Sequence, residues 1–155
     1  LRPDMSWLHP RIGGAVTLQS YGVRSAADRR VATVQIEAVA AVPAEHRAFL
    51  AGLPTSFRRD KSIFVHAGIR PGVPLELQDE TDLVWIRQPF LEDNRDHGAL
   101  IVHGHTALDA AALYSNRLNL DSGAAYGGPL SSVAIEGLDV YFLTPSGRVR
   151  MRAVN

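Results

Sequence analysis

Apolar positions fall into two regimes along the chain. Up to about Leu53 they recur mainly at helical spacing, and from Lys61 they gather into short runs separated by turn residues. In the first regime Gly13-Gly14 and Gly22 bound a short segment holding Val16 and Leu18. Ser25-Ala26-Ala27-Asp28 then predicts a capped start for a helix carrying Val31, Val34, Ala38 and Val42. Ala32, Val34, Ile36 and Ala38 also alternate with Thr33, Gln35 and Glu37, as a strand would, but the alanine content and the preceding cap favour helix. Pro43 suits the first turn of a further helix, PAEHRAFLAGL, closed by Gly52 and Pro54.

In the second regime SIFVHAG (62–68) is a β-branched and aromatic run ended by glycine, which predicts a buried strand. Asp79 to Arg87 predicts a capped helical turn with Leu83 and Ile86 on one side. ALIVHG, RLNLD, PLSSVAIEG and LDVYFL read as further strands, with Gly137 as the turn between the last two. TPSG (144–147) places proline and glycine where a tight turn wants them. Beyond it Arg148, Arg150 and Arg152 alternate with Val149, Met151 and Ala153, the pattern of a half-exposed strand. Helices first, then strands with an interposed helix, predict an α/β or α+β layered domain. Residues 1–155 read as one domain.

Composition narrows the picture. The chain is 46% hydrophobic and 21% charged, an ordinary globular balance. Sixteen basic against sixteen acidic residues give no general attraction to nucleic acid or anionic lipid. The three late arginines have no interleaved aromatics and read as a solvated strand face. No apolar run is long enough to span a membrane, and LRPDMSWLHP has no apolar core for a signal peptide. Cysteine is absent, which removes disulfides, thiolate nucleophiles and Cys-based zinc sites. The default expectation is a cytoplasmic protein, and the start at Leu1 without methionine is read as a native start lying upstream.

The histidines carry the candidate chemistry. His66 ends the run Ile63-Phe64-Val65, and His103 and His105 surround Gly104 at the end of Leu100-Ile101-Val102. Glycine lets backbone and ligand approach closely, and sites in α/β sheets gather at carboxyl ends of strands. Imidazole is also the commonest neutral metal ligand. Two readings stand at each position, a metal ligand or a core histidine bonded to a backbone carbonyl, and spacing does not choose between them. His9, His46 and His97 read as surface or structural residues.

Four stretches bring in a resemblance: FVHAGIRPGVPL (64–75), DLVWIRQPF (82–90), IVHGHT (101–106) and NLDSGAAYGG (119–128). In this order and spacing they resemble the C-terminal half of bacterial calcineurin-like metallophosphoesterases of the serine/threonine protein phosphatase type. WLHPRIGGAVTLQSYGV (7–23) and PAEHRAFLAGLP (43–54) resemble the lid and helices between the family's motifs. The resemblance implies an α/β/β/α sandwich, with this chain supplying its C-terminal half. It places metal ligands at His66 and His105 and the phosphate-gripping arginine at Arg87. It puts His103 and Asp121 behind the ligands and Tyr126 at the rim of the substrate cleft. It also implies two divalent ions, Mn, Fe or Zn, in the complete domain, and phosphoester hydrolysis by metal-bound hydroxide.

The family's D-x-H, G-D-x-x-D-R-G and G-N-H-E motifs do not occur in this sequence. The chain is therefore expected to be catalytically incomplete by itself, with a missing N-terminal half as its partner. The expected substrate is a phosphorylated protein or a small phosphoester. Symmetrical dinucleoside tetraphosphate hydrolysis is the alternative within hydrolases, and a non-catalytic fragment or interaction module is the alternative outside them.

Overall fold

The helical spacing of the first 53 residues is realised in three short helices, α1 (Gly14–Ser20), α2 (Val31–Ala41) and α3 (Ala44–Ala51). The computed structural model describes residues 5–10 and 12–154. They fall into two compact units, 1–53 and 54–155. In the first unit Leu8, Leu18, Val23, Ala26 and Val34 make a small core. The segment Ser25–Asp28 does not cap α2 as predicted. Ala26–Asp28 is a separate 3-10 turn, Ser25 lies at φ 52 without a side-chain cap bond, and α2 begins at Val31. Arg29 leaves the turn in an extended conformation and its guanidinium pairs with Glu37 on α2. A charge pair therefore ties the entry of α2 to the helix. The helix carries apolar residues on more than one side, with Val34 buried while Ile36 and Val39 are exposed. That is why alternation and helical spacing both fitted the same residues. Pro43 stands just before α3 with extended backbone, and the Gly52 N–H donates to the Ala48 carbonyl at 3.0 Å to close it.

The second unit follows the strand pattern. Its elements are β1 (Ser56–Arg59), β2 (Ser62–Val65), α4 (Glu80–Trp85), β3 (Leu100–His103), β4 (Ala112–Leu113), β5 (Arg117–Asn119), β6 (Val133–Glu136), β7 (Asp139–Thr144) and β8 (Gly147–Arg150). A five-stranded sheet has the order β1-β2-β3-β5-β4, and a three-stranded sheet has the order β6-β7-β8. The middle of the larger sheet is parallel, with Phe64 opposite Val102 and Val102 opposite Leu118. Both β1 and β4 pair antiparallel at its edges. Neither edge strand is legible in the sequence, since β1 is the mostly polar SFRR and β4 has only two residues.

Successive residues of the parallel strands enter two different layers, as expected of strands buried on both faces. Ile63 and Ile101 join Ala67, Ile69, Leu83, Ile86, Phe90 and Ala99 under α4 and its loops. Val102 and Leu118 join Val140 in the other layer, with Phe64, Val133, Ile135 and Met151 packed against them. The smaller sheet thus covers one face of the larger, which is the expected sandwich layering of a mixed α/β fold. Gly137 and residues 144–147 make the predicted hairpin turns. The last strand is more open than its alternation suggested. All four residues of β8 are exposed, and only Met151 beyond it reaches the core. As an edge strand, β8 covers nothing beyond its neighbour. Arg148 pairs with Glu136 and Arg150 with Asp139 across the strands. Among the described residues no helix is long and apolar enough to cross a membrane.

Candidate functional site

The parallel register aligns the ends of β2 and β3 and so creates the site. Continuing the pairing of Phe64 with Val102 sets His66 level with Gly104, whose N–H donates to the His66 carbonyl at 2.9 Å. In extended chains His105 would then point to the opposite face from His66. It does not, because His105 adopts φ 66 in the left-handed region and turns back. His66 Nε2 and His105 Nδ1 lie 3.2 Å apart, with ring centroids at 5.0 Å.

The closeness of glycine to the site needs a correction. A Cβ on Gly104 would meet Asp121 Cβ at 3.4 Å and the His66 carbonyl at 3.9 Å, ordinary contacts, so close approach does not require glycine there. Just beyond His66, sterics do demand glycine at Gly68, where a Cβ would fall 2.2 Å from Phe90 Cδ1.

The helix brings the rest of the site. Asp79 Oδ1 accepts from the Thr81 N–H at 2.7 Å and starts α4, which buries Leu83 and ends at Trp85. The Ala67 N–H donates to the Leu83 carbonyl at 2.8 Å, tying the residue after His66 to this helix. Trp85, 55% exposed, sets its ring edge-on to His105 with centroids 5.6 Å apart. Arg87, two residues on, is exposed, and its charge is felt at His105.

The imidazoles differ in environment. Burial, then the Arg87 and His66 charges, pull the His105 pKa below its ordinary value, while Asp121 opposes them. Its Nε2 is buried without a hydrogen bond. The Trp85 carbonyl favours its protonated form without reaching bonding geometry. His66 is exposed at the mouth. His103 lies deeper, 3% exposed and edge-on to Phe90 at 5.0 Å, with Nδ1 3.1 Å from the Gly104 carbonyl oxygen. Burial is the main cause that lowers its pKa to about 4. Asp121 accepts from the Gly123 N–H at 3.0 Å through Oδ1, and its carbonyl accepts from Leu108 N–H at 2.9 Å, so it braces the loop beside Gly104. Tyr126 stands apart at 80% exposure in the turn Ala124–Tyr126, with no ring contact to either histidine. Sequence reasoning overlooked Arg117 and Asn116, both 5% exposed beneath the segment that follows Arg87. A polar residue opening a short strand signals a solvated face as readily as a buried network, so no local pattern marked them.

Two nitrogens that each ligate one ion at about 2.1 Å lie roughly 3.0 to 3.4 Å apart at octahedral to tetrahedral angles. The 3.2 Å between His66 Nε2 and His105 Nδ1 fits that span. The spacing is compatible with one ion held between the imidazoles and equally with a direct hydrogen bond between the two rings. Among the described residues no group of three or more His, Asp or Glu side chains could hold an ion, so the pair is an incomplete donor set.

A crystal structure described as that of "a putative diadenosine tetraphosphatase" is similar to this chain, with a TM-score of 0.52 and 19% sequence identity over 94% of this chain and 72% of that one. No family model matches the sequence, and no curated protein matches it. At that identity the likeness concerns the fold, which is mixed α/β.

Proposed function

We propose that this chain carries the phosphate-gripping and metal-holding part of a phosphoester hydrolase, with phosphoserine or phosphothreonine in a protein as its substrate. The observation that supports the reading is the 3.2 Å approach of His66 Nε2 and His105 Nδ1 at adjacent strand ends. In it, His66 and His105 hold one divalent ion, for which Mn, Fe or Zn suits imidazole nitrogen better than Mg. Such an ion supplies Lewis acidity toward a phosphoryl oxygen. Arg87 offers a planar fork of donors to two phosphate oxygens, which fixes the direction of the ester bond. His103 and Asp121 keep the two strand ends in place, and Tyr126 reaches only a large substrate at the rim. Two divalent ions repel each other and need bridging ligands, which two imidazoles do not supply. The isolated chain is therefore expected to hydrolyse p-nitrophenyl phosphate weakly at most.

A second reading, hydrolysis of a symmetrical dinucleoside tetraphosphate, is favoured by the similar solved structure and what its description says it acts on. Titration of the full chain with Mn²⁺ or Zn²⁺, followed through the histidine ring signals by NMR, tests the common core. One ion per chain is expected, lost in both His66→Ala and His105→Ala. Equal uptake by the variants would sink the reading. Competition between a phosphoserine peptide and diadenosine tetraphosphate at the same signals separates the substrates, and tighter binding of the dinucleotide selects the second.

A further inference from the structure

Arg117, which opens β5, is 5% exposed, and none of the ion pairs among the described residues involves it. A buried cation without a carboxylate is costly, so the contacts that retain it are informative. Its Cζ lies 3.7 Å over the Tyr114 ring and 6.0 Å from the Phe90 centroid. Its Nη1 reaches Asn116 Oδ1 only at 3.5 Å, and its Nε has no partner. The short bond goes elsewhere: Nη2 donates to the Leu91 carbonyl at 2.8 Å. Leu91 in turn donates its N–H to the Arg87 carbonyl at 2.9 Å. Between them Phe90 is fully buried against Gly68 and His103. Asn116 extends the same tie, its Nδ2 donating to the Asp93 carbonyl at 2.8 Å and the Arg95 carbonyl at 2.9 Å. The turn that follows Arg87 is thus held to β5 by the Arg117 guanidinium and the loop beyond it by the Asn116 amide, while Arg87 itself is exposed.

We propose that Arg117 is a positioning residue for the phosphate grip: it clamps the Arg87–Leu91 turn to β5 so that the Arg87 guanidinium stays presented beside His105. The inference rests on the reading of Arg87 as the phosphate ligand. A guanidinium that only filled the core would move stability and leave anion affinity untouched. A clamp moves both, and its effect passes through Arg87.

Inorganic phosphate titrated into the full chain, with affinity read from the shifts of the His66 and His105 ring signals and folding checked by thermal melting, tests this directly. Arg87→Ala is expected to weaken binding about tenfold, the scale of one charge-assisted hydrogen bond. Arg117→Met, which keeps the apolar stem and removes the cation, is expected to weaken it by a similar factor. The double variant should bind no more weakly than Arg87→Ala alone, because residues acting as one unit are not additive. Arg117→Lys keeps a donor for the Leu91 carbonyl and should recover part of the affinity. Unchanged binding in Arg87→Ala overturns the functional reading and this inference with it. If Arg87→Ala weakens binding while folded Arg117 variants bind as wild type, or the two losses add, only the clamp is refuted. Failure of both Arg117 variants to fold also refutes it, since Arg117 would then support the core as a whole.

Discussion

His105 holds a conformation that costs stability, and replacing it tests whether the site stores that strain. At φ 66 it occupies the left-handed region, which costs an ordinary L-residue roughly 1–2 kcal/mol and asparagine less. Its Nε2 is buried without a partner, a further cost of about 1–3 kcal/mol. Against these stand the edge contact with Trp85 at 5.6 Å and the 3.2 Å contact with His66, which together contribute about 1–2 kcal/mol. The costs equal or exceed the contacts, so His105→Asn should be at least as stable as wild type even though it removes both contacts. His105→Ala loses the same contacts but keeps the backbone strain. The asparagine variant should therefore exceed the alanine variant by about 1 kcal/mol. Urea denaturation in the presence of a chelator measures the difference. Manganese or zinc at a hundredfold excess over its dissociation constant should then stabilise wild type by about 2.7 kcal/mol and neither variant. An asparagine variant no more stable than the alanine variant would refute the strain argument, whatever the metal does.

Further tests bear on the supports of the site. Gly68→Ala should destabilise the second unit by about 1–3 kcal/mol, because a Cβ 2.2 Å from Phe90 Cδ1 meets a ring with nowhere to move; chemical denaturation with no loss would contradict the packing. Asp79→Ala should cost about 1 kcal/mol by removing the acceptor for the Thr81 N–H, and protection of the α4 amides from hydrogen exchange should fall with it. Burial, above all, sets the His97 pKa below its ordinary value, despite the opposing charges of Asp93 and Asp96. Protons then bind the unfolded chain more readily, so this residue's contribution is present above about pH 6.5 and is lost as pH falls below it. An NMR titration that places His97 at or above its ordinary value would reverse that sign.

The frame of the second unit was legible because its central parallel strands are buried on both faces and read as apolar runs, Ile63-Phe64-Val65 and Leu100-Ile101-Val102. The edges were not. Phe57 is the only apolar residue of β1, and it is exposed, so burial wrote no pattern there. In the first unit the signals misled in detail, since Ser25-Ala26-Ala27-Asp28 has capping chemistry but an extended Arg29 separates that turn from the helix. Pairing of the strand-end histidines followed from parallel register, which short runs at matched positions suggest. The device that turns His105 toward His66 was invisible, because nothing in H-G-H announces that the histidine, and not the glycine, takes the left-handed backbone.

The same limit governs the electrostatics, which arise between elements far apart in sequence. A metal ligand must offer an unprotonated nitrogen, and an imidazole near neutrality is poised between its two forms. At His105 burial disfavours the charged form, and the Arg87 cation disfavours it further. The arginine that faces solvent thus also bears on the neighbouring ring. On the proposed reading, removing Arg87 acts twice, since an incoming anion loses its donor fork and His105 loses a charge that disfavours its protonated form. Position sets both effects, and the proposed clamp would make that position depend on Arg117, which is buried with Asn116 and His103. Apolar periodicity locates the layer in which these residues lie but cannot distinguish a polar side chain that supports the site from one that faces water.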